Sequence, residues 1–289
     1  MLTSLDHIVI AVRDLEAATE VYTRLLGRRP SWRGAHPDYG TANALFRLEK
    51  TYVELLAPQR DGPLAAQLSD WMNRNGERLF ALAFGAEDLD GAVSVLRERG
   101  VSVSDPVAGH GRELTTGVER SWRNALLPPA ETRGTMLFLI QHLSAASLLP
   151  MAEPSGVDAA SISGCDHVVI RTSDPDAAIR LYGAKLGLRL ALDRTFPDWG
   201  ARLVFFRVGG ITVELAADLK AVDRTAVDRL WGISYQAPDV DAVHDRLARE
   251  GFDVSEVRTG RKPGTRVFTV RGDPCGVATL VIGPETPRA

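Results

Sequence analysis

The stretch LDHIVIAVRDLEAATEVYTRLLG, residues 5–27, joins a strand pattern directly to a helix pattern. Residues 7–12 form an apolar run of strand length that opens on His7, and Asp14 is a residue type that often caps a helix. Apolar residues then recur at helical spacing up to Gly27, and glycine commonly ends a helix. The stretch therefore predicts a strand, a short turn and an amphipathic helix.

The same stretch recurs 160 residues further along the chain without a gap. Between residues 5 and 58, 20 of the 54 positions are identical at this offset, far more than chance would produce. A weaker repeat relates residues 87–103 to residues 238–254. Because repeats of this length indicate repeated structural units, the chain is predicted to contain four modules of one kind.

Each module is predicted to be a strand and a helix followed by antiparallel strands. In the first module, residues 44–49 and 51–58 are β-type runs that follow the helix. Two such modules can pair their curved sheets over a concave face, which predicts an α+β fold with two domains. A small, polar, proline-bearing segment without helical periodicity is predicted to link them. The predicted boundaries are residues 1–143 for domain 1, 144–163 for the linker and 164–289 for domain 2.

These modules resemble the vicinal oxygen chelate (VOC) superfamily, which includes glyoxalases, bleomycin-resistance proteins and extradiol dioxygenases. The similarity rests on the strand that opens in His7, the helix that ends in Leu26-Gly27, and the GDPCG turn at residues 272–276. The string HPDYGTANALF, residues 36–46, is similar to a glyoxalase-like subgroup. The resemblance implies two VOC domains, each of two βαβββ modules with curved, mainly antiparallel sheets around a cavity. It does not specify a reaction, because one fold can host many chemistries.

The resemblance also implies a pair of metal ligands in each domain. Metal-binding members of the superfamily place one histidine on the first strand of a module and one glutamate on its last strand. The partner module supplies the remaining ligands. Imidazole and carboxylate groups suit Mn, Fe, Ni or Zn. The implied ligands are His7 and Glu54 in domain 1, and His167 and Glu214 in domain 2.

The partner modules lack the matching ligands. Alignment of the modules places Ala81 and Phe138 at the ligand positions of the second module, and Gly232 and Leu280 at those of the fourth, whichever modules pair with each other. Catalytic zinc sites and 2-His-1-carboxylate iron sites use three protein ligands, whereas each domain retains two. The sequence therefore leaves open both a divalent-metal site and a metal-free cavity in which histidine and glutamate satisfy each other.

Several other residues are candidates for contact with a ligand. His110 and His142 could complete a metal site in domain 1. Arg120 and Arg123 either meet an anionic ligand or lie exposed at a sheet edge, and the second arrangement is favoured. An apolar, aromatic-lined cavity is the usual form of a small-molecule site. The predicted ligand-binding residues are Trp32, His36, Tyr39, Trp122 and Trp199.

Composition indicates which classes of partner and which cellular compartment are compatible with the sequence. The net charge of −3 and the pI of about 6.1 argue against a nucleic-acid partner. No apolar run approaches the ~18 residues of a membrane-spanning helix. Cys165 and Cys275 show no metal or disulfide spacing, and the start of the chain lacks a basic signal-peptide pattern, which predicts a cytoplasmic protein. The expected partner is a small molecule, and a homodimer is compatible with the sequence.

Two classes of function are compatible with these features. The first is a glyoxalase-like, divalent-metal-dependent lyase, isomerase or dioxygenase that acts on a small oxygenated molecule. The alternative is a metal-free protein that binds an antibiotic or another aromatic ligand, as members of the bleomycin-resistance type do. No catalytic residue is predicted, and domain 1 is the favoured location of the site.

Overall fold

The computed structural model describes residues 1–220, 223 and 225–285. It contains four βαβββ modules in two sheets, which confirms the predicted fold class. The first module consists of β1 (Leu2–Ala11), α1 (Leu15–Leu26), β2 (Trp32–His36), β3 (Thr41–Leu48) and β4 (Thr51–Pro58). After helix α2 (Pro63–Asn75), which the sequence analysis did not predict, the second module consists of β5 (Arg78–Ala86), α3 (Leu89–Glu98), β6 (Val107–Glu113), β7 (Glu119–Leu127) and β8 (Met136–His142).

Domain 2 repeats this order of elements. Helix α4 continues as a π-helical segment, Arg180–Lys185, where the other modules have a regular helix. The third module consists of β9 (Gly164–Thr172), α4 (Pro175–Ile179), β10 (Arg189–Phe196), β11 (Ala201–Val208) and β12 (Ile211–Asp218). The fourth module consists of β13 (Arg229–Gln236), α5 (Val240–Arg249), β14 (Arg258–Thr259), β15 (Thr265–Val270) and β16 (Ala278–Pro284).

An aspartate starts the helix of every module. The side chain of Asp14 accepts a hydrogen bond from the backbone N–H of Ala17 at 3.0 Å, and the carboxylates of the other three make the same contact three residues on. Such a cap satisfies a helix N–H that has no intrahelical partner. The other capping residues are Asp88, Asp174 and Asp239.

Consecutive modules pair within the chain. Strand β1 runs antiparallel to β5, with His7 opposite Ala83, and β9 runs antiparallel to β13 in the same way. Domain 1 closes into an eight-stranded barrel because β2 also pairs with β6 through Gly34 and Ala35. In domain 2 the corresponding strands, β10 and β14, form the two ends of an open sheet. The two copies of the repeat therefore differ in how fully they enclose their interior.

The segment between the domains packs against both of them. Leu149 is buried beside Trp32, Leu45 and Tyr52 of domain 1. Arg246 of α5 donates hydrogen bonds to the carbonyl oxygens of Ala160 at 2.7 Å and Leu25 at 3.0 Å. One hydrophobic core contains residues of both domains. The arrangement of the two domains is therefore held by a shared core and by polar contacts along the segment that joins them.

In the part of the chain that the structure describes, no helix is long and apolar enough to cross a membrane.

Candidate functional site

The interior of the domain 1 barrel contains a cavity of about 200 Å³. Its wall is mostly apolar and aromatic, because alternate residues of each strand point inward and the barrel brings them together. Strand β7 shows this alternation over Arg120, Trp122, Asn124 and Leu126, all of which line the cavity. A cavity of this kind, with a few polar groups in an apolar wall, is typical of small-molecule sites.

His7 is held in the cavity wall by two contacts. Its Nδ1 lies 2.7 Å from Oδ1 of Asp6, and its ring stacks on Tyr52 with 4.5 Å between ring centroids. Burial alone would raise the pKa of Asp6, but hydrogen bonds from His142 and His7 outweigh burial and hold that pKa well below its usual value. Asp6 is therefore an ionised acceptor, and Nδ1 of His7 must donate to it. This fixes the orientation of the His7 ring.

Nε2 of His7 points at Glu54. It lies 3.4 Å from Oε2 of Glu54, and both side chains are almost completely buried. A carboxylate oxygen only accepts hydrogen bonds, so a favourable contact requires a proton or another cation between Nε2 and Oε2. The pair is therefore a site for a proton or a metal ion, depending on what else surrounds it.

A chain of hydrogen bonds extends from Glu54 to His36. The amide nitrogen of Asn43 donates to Oε1 of Glu54 at 2.7 Å and lies 3.3 Å from Nε2 of His36. Burial lowers the pKa of His36, whose Nδ1 lies 3.0 Å from the hydroxyl of Thr41. His36 is thus neutral and accepts from Asn43. The carbonyl oxygen of Asn43 is buried in the cavity wall and has no hydrogen-bond partner in the described residues.

The opposite wall, contributed by module 2, offers no ligand beside His7 and Glu54. Ala81 and Phe138 both line the cavity, and the Phe138 ring contacts the His7 ring edge-on at 5.4 Å. His142 also lines the cavity, but its Nε2 lies 3.0 Å from Oδ2 of Asp6. Among the described residues, no group of three or more His, Cys, Asp or Glu side chains is placed to hold one metal ion.

Most of the predicted ligand-binding residues meet in this cavity. Its lining includes Trp32, His36, Tyr39 and Trp122. Trp199 is separate: it is 48% exposed, stacks on Phe196 at 4.5 Å and lies beside Arg261 in domain 2. His110 is also outside the cavity, where it faces Asp38 at 3.6 Å on the surface.

The expectation that Arg120 lies exposed at a sheet edge was wrong. Arg120 is buried and lines the cavity, with its guanidinium 5.5 Å from the centroid of the Trp32 ring. Arg123 does point outward and forms a two-bond ion pair with Asp90, but β7 lies between β6 and β8 and is not a sheet edge. Odd and even residues of a strand face opposite sides, and only the closure of the barrel shows which side is the interior.

Sequence reasoning missed the asparagines that accompany the histidines and favoured an exposed position for Arg120. Asn43, Arg120 and Asn124 line the cavity, yet none belongs to the repeat between the domains. The available signal was the alternation of Arg120, Trp122 and Asn124 on one strand. It could not be used without knowing which face of β7 is buried.

Domain 2 retains the histidine and glutamate in the same geometry. Nδ1 of His167 lies 2.9 Å from Asp166, and Nε2 lies 3.4 Å from Oε2 of Glu214, whose pKa is raised by burial. The His167 side chain is 17% exposed, against 4% for His7, because the sheet is open. Leu203 and Thr212 occupy the positions of Asn43 and Tyr52, and the register of β15 and β16 places Leu280 beside Thr269. The asparagine and the tyrosine beside the pair therefore belong to domain 1 alone.

Comparison with curated proteins finds two epimerases. The ethylmalonyl-CoA/methylmalonyl-CoA epimerase of Cereibacter sphaeroides is 31% identical over 119 residues, which are 39% of this chain and 87% of that protein. The human mitochondrial methylmalonyl-CoA epimerase is 31% identical over 117 residues, 39% of this chain and 65% of that protein. Both similarities thus concern a stretch shorter than half of the chain.

Comparison with solved structures finds the same two-domain fold. A mutant of 4-hydroxymandelate synthase from Streptomyces coelicolor superposes with a TM-score of 0.72 at 14% identity and covers 100% of this chain and 94% of that one. A hypothetical protein from Staphylococcus aureus gives a TM-score of 0.68 at 11% identity, with 98% and 100% coverage. At these identities the likeness shows the fold alone.

Two family patterns match successive parts of the chain. The family described as "Glyoxalase-like domain" matches residues 5–163, which is more than half of the chain. The family described as "Glyoxalase/Bleomycin resistance protein/Dioxygenase superfamily" matches residues 166–269. These matches confirm the resemblance drawn from the sequence, and together with the four βαβββ modules they show that the chain belongs to the glyoxalase-like proteins of the VOC superfamily.

Proposed function

We propose that domain 1 binds a small oxygenated molecule inside its barrel, and that packing against aromatic rings supplies most of the affinity. The observation that carries this proposal is the cavity inside the barrel, in which Trp32, Trp122 and Phe138 form walls around a few polar groups. Aromatic walls give a large contact area at low entropic cost and favour flat ligands. Domain 2, with its open sheet, is proposed to support domain 1 structurally.

The donor set in the cavity does not fit a tightly held resident metal. His7 and Glu54 supply two donors, whereas catalytic sites of this ligand type use three. Ala81 and Phe138 face the cavity at the positions where module 2 would supply the others, and neither carries a donor atom. The proposed binding function therefore includes no metal.

The alternative is a divalent-metal-dependent lyase, isomerase or dioxygenase. It is favoured by the orientation of His7, whose Nδ1 is held by Asp6 while Nε2 faces Glu54, since metal-binding histidines commonly donate their other ring N–H to a carboxylate. The two curated relatives are epimerases by name, so isomerisation is the first reaction to test under this alternative.

Metal content separates the two candidates. After untagged protein is soaked in Mn, Fe, Ni or Zn and dialysed, we expect far less than one metal ion per chain by plasma mass spectrometry, because two ligands hold an ion weakly. His7→Ala and the exposed control His110→Ala are measured in parallel. One retained ion per chain that is lost in His7→Ala, but kept in His110→Ala, would replace the binding proposal with the metal-dependent one.

Two tryptophans provide a matched test of where the ligand binds. Trp122 lines the barrel cavity, whereas Trp199 is a solvent-exposed tryptophan of domain 2. With the neutral aromatic probe 2-naphthamide, Trp122→Ala is expected to weaken binding about tenfold or more, from the loss of ~1.5–3 kcal/mol of aromatic burial. Trp199→Ala is expected to leave binding within about twofold. Isothermal titration calorimetry measures both, and equal effects of the two changes would contradict a site in the barrel.

A further inference from the structure

Arg120 is a buried cation without a carboxylate partner. Its residue is 8% exposed, it lines the domain 1 cavity, and no Asp or Glu of the described residues lies within ion-pair distance of it. The strand neighbour Arg123, by contrast, forms an ion pair with Asp90 on the outside of the barrel. A buried charge is costly unless it is paired, so a buried guanidinium that faces a cavity calls for a counter-ion there.

The carboxylates beside the cavity histidines are already occupied by other donors. Asp6 accepts from His7 and His142, at 2.7 Å and 3.0 Å. Glu54 accepts from Asn43 at 2.7 Å and faces Nε2 of His7. Arg120 instead interacts with the hydroxyl of Tyr52 and lies over the Trp32 ring, 5.5 Å from its centroid. These contacts position the guanidinium without neutralising it.

The surroundings of Arg120 also select the shape of the counter-ion. A guanidinium presents parallel N–H groups that match the two oxygens of a carboxylate. The aromatic rings of Trp32, Trp122 and Phe138 suit a flat hydrocarbon body attached to it. The unpartnered carbonyl oxygen of Asn43, in the same cavity wall, can accept a hydrogen bond from a hydroxyl or amino group of such a ligand.

We propose that Arg120 anchors the acidic group of the ligand, and that domain 1 selects small, flat carboxylic acids over neutral molecules of the same shape. This proposal rests on the proposed binding function and adds the chemical class of its ligand. The proposal assigns acid binding to domain 1 and not to domain 2, because Leu203 and Thr212 stand where domain 1 has Asn43 and Tyr52. Domain 2 therefore lacks the residues that surround the anchor.

The test compares an acid with its neutral counterpart. By isothermal titration calorimetry, 2-naphthoate is expected to bind wild-type protein at least tenfold more tightly than 2-naphthamide, as a charge-assisted hydrogen-bond pair would provide. Arg120→Met, which keeps the aliphatic part of the side chain and removes its charge, is expected to abolish this preference, so that the two compounds bind the variant with similar affinity. Arg123→Met is the matched control on the same strand and is expected to keep the preference.

The possible outcomes separate the two proposals. If 2-naphthamide binds and 2-naphthoate binds no better, or if the preference survives Arg120→Met, the anchor is overturned while the binding cavity stands. If neither compound binds to the wild-type protein, the cavity proposal fails and the anchor fails with it. Arg120→Lys provides a second variant should Arg120→Met fold poorly: it keeps the charge without the planar fork, and is expected to retain only part of the preference.

Discussion

Replacing Gly276 with alanine is expected to destabilise the protein by about 3 kcal/mol or more. The φ angle of Gly276 is +70°, and a Cβ atom at this residue would lie 1.8 Å from the backbone carbonyl oxygen of Glu77. That oxygen belongs to the entrance of β5 in domain 1 and cannot move without shifting the strand. The methyl group would therefore force the GDPCG turn away from domain 1, which combines overpacking with backbone strain.

Gly272 in the same turn is the matched control. Its φ angle is +80°, but apart from its two chain neighbours no described residue has a heavy atom within 4 Å of a Cβ built there. Gly272→Ala therefore incurs only the conformational penalty of a left-handed residue, about 1–2 kcal/mol. Urea denaturation followed by circular dichroism measures both free energies of unfolding. Equal losses for Gly272→Ala and Gly276→Ala would show that the turn does not dock against Glu77.

The second large effect is expected at an ion pair between the domains. Nε of Arg133 donates to Oδ2 of Asp228 at 3.1 Å, and the Asp228 side chain is 0% exposed. Arg133→Met would leave this carboxylate buried without a counter-ion, which costs about 3–5 kcal/mol of unfolding free energy. Thermal and urea unfolding at pH 7 would measure the loss. A change below about 1 kcal/mol would mean that the ion pair does not couple the domains.

The free energy of unfolding of the Arg133→Met variant is expected to depend on pH. Burial raises the pKa of Asp228, with Thr172 and Arg133 acting in the opposite direction, so removal of Arg133 raises this pKa further. When a carboxyl has a higher pKa in the folded state than in the unfolded state, the stability of the protein falls as the pH rises towards the folded-state pKa. It recovers as the pH falls. The deficit of Arg133→Met should therefore shrink between pH 7 and pH 5. Adding Asp228→Asn should restore most of the stability and remove the pH dependence.

Local sequence patterns were sufficient to predict the modules and the order of the elements within each module. Asp14 caps α1 and Gly27 ends it, as the sequence predicted, because both act on backbone groups within a few residues. The repeat at 160 residues placed His7 and His167 in equivalent strands, and both face a glutamate at 3.4 Å. Because both copies keep the histidine and the glutamate at the same offset, the geometry of one pair predicts that of the other.

The sequence alone indicated the superfamily and the four modules, since these depend on residue types at short spacing, and the resemblance to that superfamily implied a His–Glu pair in each domain. Only the tertiary structure decided that module 1 pairs with module 2, that β2 meets β6 and closes one barrel, and that Arg120 faces its interior. The physical reason is that strand pairing and the buried face of a strand are set by contacts between residues far apart in the chain. The alternating pattern of a strand such as β7 is compatible with either of its faces being buried, and only the neighbouring strands show which face lies inside.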